Sequence, residues 1–273
     1  MDKLKKIFIY LFLIIGAIIM VFPFFYMVST ALKTKAELMA FPPVWIPKNI
    51  FNFENFKNAL KMAPFDRYFI NSLIVTICCT ICTGFTTIVG AFAFSRLKFP
   101  GRDLIFSLLL SMMMIPFEML VITNYQTLAS FRLINTIIAL IIPFTTSIFY
   151  TYILRNFFMS IPDSLYYSAR IDGASNWKYL WRVMVPIAKP SLFTIMLLNA
   201  IACWNSFFWT MLVINDDLKR TLPLGIYKFS GESGADFELV MAGSTLIILP
   251  MIILFMFTRK FIVSGVSRGG IKG

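Results

Sequence analysis

The sequence predicts an all-α membrane protein with six transmembrane helices. Hydrophobic residues make up 59% of the 273-residue chain, whereas soluble domains have roughly 45–50%. The excess is concentrated in six runs long enough to cross a bilayer, which takes about 20 helical residues. The runs lack the alternation of a β-barrel strand, and a helix satisfies its own backbone hydrogen bonds in lipid. The predicted spans are 8–31, 69–94, 104–125, 136–158, 192–214 and 239–262.

The first span is predicted to be retained. Lys3, Lys5 and Lys6 precede an apolar run, as they would in a secretory signal peptide. This run extends over about 24 residues, whereas the apolar region of a signal peptide has ~7–15. No convincing cleavage site follows it, so we expect an uncleaved membrane helix.

The distribution of charge predicts the orientation. With the N-terminus inside, the inner segments hold more Lys and Arg than the outer ones, and fewer acidic residues. Because Lys and Arg are enriched on the cytoplasmic side, both termini of this multi-pass cell-membrane protein are expected in the cytoplasm. The net charge of +12 then reflects topology. We expect contact with membrane lipid and no nucleic-acid partner.

Several kinds of chemistry lack the residues that they need. The chain has no His, which excludes Ser–His–Asp catalysis and His-based metal binding. It lacks the GxxxxGK[ST] motif, so it does not build a P-loop for ATP. The cysteines lie inside predicted spans and suit buried structural thiols better than metal ligands: Cys78, Cys79, Cys82 and Cys203. We therefore predict no enzyme activity, no catalytic residue, no metal site and no cofactor bound by this chain.

Three connections are predicted on the outer side: 32–67, 126–135 and 215–238. Four prolines in the first connection exclude long helices there, so we expect an ordered, irregular cap. The third connection is polar and contains three glycines. It is long enough to reach a partner outside the membrane.

The second span carries small residues at four-residue spacing. Thr83, Thr87 and Ala91 follow one another along one helical face, with Thr80 and Gly84 beside them. Small residues allow helix backbones to approach closely in lipid. The pattern fits packing within this chain and packing against a second membrane subunit equally well.

The fifth span is the most polar. Four residues at steps of four, three and four lie on one helical stripe: Asn199, Cys203, Ser206 and Thr210. Trp204, Asn205 and Trp209 are next to this stripe. Amides, hydroxyls and aromatic rings suit a path for a hydroxylated solute, but the same residues would also serve hydrogen bonds between helices.

Glu118 is an acidic residue inside the third predicted span, just after Pro116. An ionisable residue at membrane depth is a candidate for function. It could hold a proton or an ion, or face a cavity or a partner, and we include it among the candidates for a solute path.

One polar segment, residues 161–190, interrupts the apolar pattern between two spans. Pro162 suits the first turn of a helix and Asp163 complements its positive end. Gly173 supplies the left-handed residue that ends this helix after about Asp172, and Ser175 can cap a second helix. The pattern predicts two short helices at the membrane surface. They could dock on a soluble protein or lie on lipid headgroups.

This polar segment resembles the EAA loop of ATP-binding-cassette importer permeases. That motif is Glu-Ala-Ala, three residues, Gly, nine residues, then Ile-x-Leu-Pro. The chain keeps the spacing with Tyr167-Ser168-Ala169, Arg170-Ile171-Asp172, Gly173, nine residues and Val183-Met184-Val185-Pro186. Asp172-Gly173-Ala174-Ser175, Trp204-Asn205 and residues 265–273 resemble the carbohydrate-uptake branch, most closely the smaller permease of the maltose type.

The resemblance implies a type I importer permease fold formed by a single domain over residues 1–273. The first helix of the polar segment would then be a coupling helix in a cleft of a dimer of cytoplasmic ATPases, which hold ATP–Mg²⁺. A second homologous permease and an extracytoplasmic solute-binding protein are the other implied partners. Residues 215–238 can reach into that binding protein, and residues 264–273 can extend between the ATPases.

The implied contact residues for the ATPase are Tyr167, Ser168, Ala169, Arg170, Asp172 and Gly173. The chain departs from the family pattern because Tyr167 and Ser168 replace the Glu and the first Ala. Tyr167 can stack and form hydrogen bonds but carries no charge at neutral pH. The contact is therefore expected to depend more on packing, and on Asp172 or Arg170.

The sequence thus predicts the membrane subunit of an ATP-driven, binding-protein-dependent importer of sugars or oligosaccharides that works by alternating access. An importer of the same kind for glycerol phosphate, peptides or amino acids is the nearest alternative. An ion-coupled secondary transporter would often show internal repeats, and we see none. A membrane-embedded enzyme would need an acid–base constellation that this sequence lacks.

Overall fold

The computed structural model describes residues 3–231 and 234–269, without the side chains of residues 3, 228, 230, 231, 234, 235 and 259–269. Helices dominate this part of the chain. They are α1 (Lys3–Ala31), α2 (Lys35–Leu38), α3 (Glu54–Met62), α4 (Phe65–Arg96), α5 (Arg102–Met112), α6 (Phe117–Ser130), α7 (Ile137–Ile141), α8 (Ile148–Met159), α9 (Asp163–Ile171), α10 (Asn176–Tyr179), α11 (Val185–Ile187), α12 (Lys189–Trp204), α13 (Phe208–Val213), α14 (Leu222–Gly225) and α15 (Phe237–Gly269).

Shorter elements complete the secondary structure. Single 3₁₀ turns and one π-helical turn lie between the α-helices: Ile142–Phe144, Asp217–Lys219, Ile226–Phe229 and the π-helical Leu180–Met184. Two strands of two residues each, β1 (Ser230–Gly231) and β2 (Gly234–Ala235), pair antiparallel with Ser230 opposite Ala235.

Six membrane spans result when three bent helix pairs are each counted as one span. Three helices are continuous and apolar enough to cross a bilayer: Leu4–Ala31, Phe65–Arg96 and Phe237–Thr258. The other candidates are helix pairs bent by 97°, 44° and 82°: Arg102–Met112 with Phe117–Ser130, Ile137–Phe144 with Ile148–Met159, and Asn176–Ile187 with Lys189–Trp204. The predicted all-helical membrane fold is confirmed.

Three predicted spans are broken in the structure: 104–125, 136–158 and 192–214. Pro116 precedes α6, and a proline disfavours helix in the residue before it. Pro143 lies in the 3₁₀ turn that follows α7. Asn205 ends α12, and α13 resumes at Phe208, so the fifth predicted span is formed by two helices.

The chain folds into two compact units. The first contains residues 1–66 and 222–253, and the second contains residues 67–221 and 254–273. In the first unit, the buried Asn55 amide donates to the carbonyls of Ala31 and Lys33 at 2.8 Å each. These bonds tie the first connection to the end of α1. The backbone N–H groups of Thr34 and Lys48 donate hydrogen bonds to the carboxylate of Glu37. These bonds stabilise the ionised carboxylate and hold the pKa of Glu37 below its ordinary value.

The second unit has two buried hydrophobic clusters, and α4 contributes to both. One joins α4, α8, α12 and the second half of the polar segment: Ile88, Ala91, Phe92, Leu154, Phe158, Ile161, Tyr179, Leu180, Met184, Ala188, Leu192 and Ile195. The other joins α4 to α6, α7 and α13: Val75, Cys79, Val121, Leu128, Ala139, Leu140, Trp209, Val213 and Ile214. The single unbroken helix α4 therefore links the two cores.

The small residues of α4 pack within this chain. Thr83 Oγ1 donates to the carbonyl of Phe144 at 2.7 Å. Thr87 and Ala91 are fully buried, and a Cβ added to Gly84 would lie 3.3 Å from Met196 Cε. Of the two interpretations of this stripe, the structure supports packing within the chain.

Replacing Thr83 with Val should destabilise the second unit. The change keeps the side-chain volume but removes the donor to Phe144, leaving a carbonyl next to a helix break without that bond. We expect a loss of about 1 kcal/mol in the free energy of unfolding, seen as a lower midpoint of thermal unfolding in detergent. Thr127→Val is the control, because Thr127 is exposed and, within the part of the chain that the structure describes, its Oγ1 donates only to the carbonyl of Thr123 in its own helix. Equal midpoints for both variants would contradict the role of Thr83.

Candidate functional site

The first half of the polar segment is a helix with well-defined ends. α9 begins at Asp163, directly after Pro162, whose ψ of 137° places it outside the helix. Pro162 was expected in the first helical turn, and the structure places it one residue earlier. Ile171 is the last helical residue and Asp172 follows as the C-cap.

Gly173 ends α9 by adopting a left-handed conformation with φ of +73°. Its N–H donates to the carbonyl of Arg170 at 3.1 Å, and the N–H of Ala174 donates to the carbonyl of Ala169 at 2.8 Å. These two bonds are the paired contacts of a Schellman motif. Ser175 Oγ then accepts from the N–H of Lys178 and caps α10. The local signals in the sequence predicted this turn correctly.

Two of the predicted contact residues have roles inside the fold. Ala169 packs against the buried cluster of α4, α8 and α12 and is only half-exposed. The guanidinium of Arg170 donates to the carbonyl of Ala174 at 3.1 Å and so stabilises the turn at Gly173. Arg170 is nevertheless exposed, as are the remaining predicted contact residues: Tyr167, Ser168, Asp172 and Gly173.

The most exposed large apolar side chain of α9 is Ile171, which sequence analysis did not single out as a contact. It is 86% exposed, and Tyr167, one turn earlier, is 55% exposed. Residues four apart lie on the same helical face, so these two side chains form an apolar ridge, here called the α9 ridge. The signal that could have found Ile171 is its apolar side chain four residues after Tyr167.

The second half of the polar segment contributes several side chains to the interior, although others such as Trp177 are exposed. Tyr179, Leu180, Met184 and Ala188 are almost completely inaccessible and belong to a hydrophobic core. Tyr166 connects the two halves: its hydroxyl donates to Asn176 Oδ1 at 2.9 Å and its ring packs on Tyr179. The polar segment therefore presents α9 at the surface while its other half is anchored among the spans.

A cavity of about 130 Å³ lies at the break between α12 and α13. It brings together the predicted polar stripe, although the stripe does not lie on one continuous helix. Its lining consists of Val75, Cys79, Leu140, Phe144, Asn199, Ala202, Cys203, Ser206, Thr210 and Thr221. Asn199 Nδ2 and Thr221 Oγ1 are buried without a hydrogen-bond partner among the described residues. The cavity thus offers unpaired polar groups to water or to a hydroxylated ligand.

The other residues predicted for a solute path lie elsewhere. Trp204 is buried and packs edge-on against Phe69 with ring centroids 6.0 Å apart. Asn205 caps α12 and is exposed. Glu118 is exposed in the first turn of α6, beyond the break at Pro116. The residues predicted for a solute path are Asn199, Trp204, Asn205, Ser206 and Glu118, and of these the cavity lining contains Asn199 and Ser206.

Comparison with known proteins gives a consistent result. The model of the family described as binding-protein-dependent transport system inner membrane component matches residues 2–268. The chain is 33% identical to the trehalose/maltose transport system permease protein MalG of Thermococcus litoralis, over 100% of this chain and 99% of that protein. It is 29% identical to the arabinooligosaccharides transport system permease protein AraQ of Bacillus subtilis, over 96% and 94%.

A solved structure shares the fold. It is a chain from a bacterial ABC transporter involved in the import of the acidic polysaccharide alginate. The TM-score is 0.83 at 26% sequence identity, and the match covers 95% of this chain and 96% of the other.

Replacing Gly173 with Ala should destabilise the end of α9. No atom of the described residues lies within 4 Å of the added Cβ, so the cost comes from the positive φ and is about 1 kcal/mol. We expect faster amide hydrogen exchange in α9. Gly16→Ala is a matched control, because its Cβ also meets no atom but it lies within α1, where Ala favours the helix. Unchanged exchange in Gly173→Ala would contradict the assigned turn.

Proposed function

The chain belongs to the family of binding-protein-dependent transport system inner membrane components, and from this premise we propose that it is the membrane-spanning subunit of an ATP-driven importer of sugars or oligosaccharides. The family assignment made from the sequence motifs is confirmed. The names of the relatives, which specify trehalose, maltose and arabinooligosaccharides, support a saccharide as solute. The exposed α9 ridge between two spans is the structural observation that carries the proposal.

The proposed assembly contains four kinds of partner. The family name includes a binding protein, which would deliver solute from outside. A second homologous permease would complete the solute path. Two cytoplasmic ATPase subunits would hold ATP–Mg²⁺, and lipid would surround the spans. In this arrangement both termini and α9 face the cytoplasm. The tail at 264–273 would extend between the ATPases, although residues 270–273 lie outside the described part of the chain.

The contact between α9 and the ATPase is proposed to be mainly apolar. Interfaces depend on a few buried anchors, with aromatic side chains prominent among them. Tyr167 and Ile171 form such a ridge, and Arg170 is already engaged with the turn. Packing of the α9 ridge can therefore replace the charged contact that a Glu at position 167 would make.

Movement of α9 would reach the spans through the buried half of the polar segment. Tyr166 bonds to Asn176 and packs on Tyr179, which lies in the same core as α4, α8 and α12. ATP binding can shift the permease between inward-open and outward-open states only if the ATPase binds the two states with different affinities. A change in the position of α9 provides that difference.

The solute is proposed to pass mainly along surfaces that this chain shares with the second permease. The cavity at the α12–α13 break, about 130 Å³, has room for only about four waters. It is too small for an oligosaccharide, but Asn199 and Ser206 can offer an amide and a hydroxyl at its edge. Asn205 and Glu118 are exposed and available to face the shared path. Trp204 has a packing role instead.

Ile171→Ala should reduce ATP-dependent uptake of radiolabelled maltooligosaccharides or arabinooligosaccharides by purified complex in proteoliposomes. Loss of an apolar anchor in an interface costs about 1–2 kcal/mol, which corresponds to roughly a tenfold weaker contact. Deletion of residues 163–175 should abolish uptake and ATPase assembly while the chain still inserts into the membrane.

The matched control is Ile18→Ala, because Ile18 is 62% exposed on α1, far from the polar segment in sequence. Its uptake should equal that of the unaltered chain. Uptake that survives removal of the ATPase and collapses with the ion gradient would contradict the proposal.

A further inference from the structure

Arg96 is an almost completely buried cation at the end of α4. Its side chain is only 5% exposed. Nη2 donates to the carbonyl of Phe158 at 2.7 Å and to the carbonyl of Ile161 at 2.5 Å. Nη1 bonds to the carboxylate of Asp163. One guanidinium thus connects three groups that extend from the end of α8 to the first residue of α9.

The chemistry of these partners explains why an arginine is needed. The carbonyls of Phe158 and Ile161 lie at the negative end of α8, and Asp163 lies at the positive end of α9. Pro162, which precedes α9, has no side-chain group that could cap the helix. A planar guanidinium can donate to several acceptors at fixed angles, whereas a lysine ammonium is a single point of charge.

The inner part of α4 is also fixed to α8. Arg155 Nε donates to the carbonyl of Phe94 at 3.0 Å. A Cβ added to Gly90 would lie 3.3 Å from Thr151 Cγ2, so the two helices are in close contact. Beyond this contact α4 continues without a break to Cys79, which lines the cavity. The distance along the helix from Arg96 to Cys79 is about 26 Å.

We propose that Arg96 is a positioning residue that locks α9 to α4, so that a displacement of α9 also moves α4 and the wall of the cavity. This inference rests on the proposed function, because it takes α9 as the helix that contacts the ATPase. Without Arg96, Tyr166 and Tyr179 would still join α9 to the core, but the start of α9 could shift at Pro162 without moving α4 by the same amount. ATP would then be hydrolysed without a matching movement of solute.

The test is the number of solute molecules imported per ATP hydrolysed, measured on the complete complex in proteoliposomes. Arg96→Gln should lower this ratio roughly tenfold, and α9 amides should exchange hydrogen faster. Asp163→Asn should lower the ratio less, because Nη2 keeps both carbonyls. Arg96→Lys should lie between Arg96→Gln and the unaltered chain. A destabilised fold alone would lower the amount of complex and leave the ratio unchanged.

Arg102→Gln is the matched control for the charge. Arg102 follows α4 by a few residues, and among the described residues its side chain bonds only to Asp103 and to the carbonyl of Leu97. Its ratio should stay close to that of the unaltered chain. An unchanged ratio in Arg96→Gln, or an equal loss in Arg102→Gln, would overturn the inference. Failure of the unaltered complex to import any saccharide with ATP would instead count against the proposed function.

Discussion

A backbone carbonyl inside a membrane needs a donor from the protein itself, because lipid offers none. This constraint is most severe where a span is broken, and α4 supplies donors at such places. Thr83 and Thr86 donate to the carbonyls of Phe144 and Thr145 at the break between α7 and α8. Arg96 does the same at the far end of α8. The unbroken helix α4 thus satisfies carbonyls of the bent span that α7 and α8 form.

The same helix explains how a surface element can be connected to the interior. In the polar segment, α9 lies at the surface and exposes the α9 ridge. Several side chains of the second half are buried in the core that α4 shares with α8 and α12. An element that was polar throughout would only rest on the membrane. Here α9, which is accessible to a partner, is continuous with residues that pack among the spans.

Local signals predicted the polar segment well. Gly173 and Ser175 define the turn through their own backbone preferences, so their roles are visible without the rest of the fold. The breaks in the spans were not predicted, because a run of apolar residues does not reveal whether another helix will satisfy its carbonyls. Nothing in the sequence distinguishes Arg96 from the other basic residues of the predicted inner segments, because its contacts with the end of α8 involve residues more than 60 positions away.

The residues predicted for a solute path show how far helical spacing alone can predict a site. Asn199 and Ser206 were expected on one helical stripe, and they do line one cavity, although α12 ends between them. Trp204 was expected there as well, but its ring packs on Phe69. Spacing indicates which residues share a face of a regular helix. Which of them line a cavity depends on where the helix breaks and on which side chains pack against neighbouring helices.

The central claim is that the α9 ridge is the surface through which an ATPase moves this chain. The most direct measurement places a photoreactive benzophenone side chain at position 171 of the purified complex. We predict cross-links to the ATPase subunit from this position and none from the same group at position 18, which is exposed on α1. Cross-links from position 171 to lipid alone, with no ATPase adduct, would contradict the account.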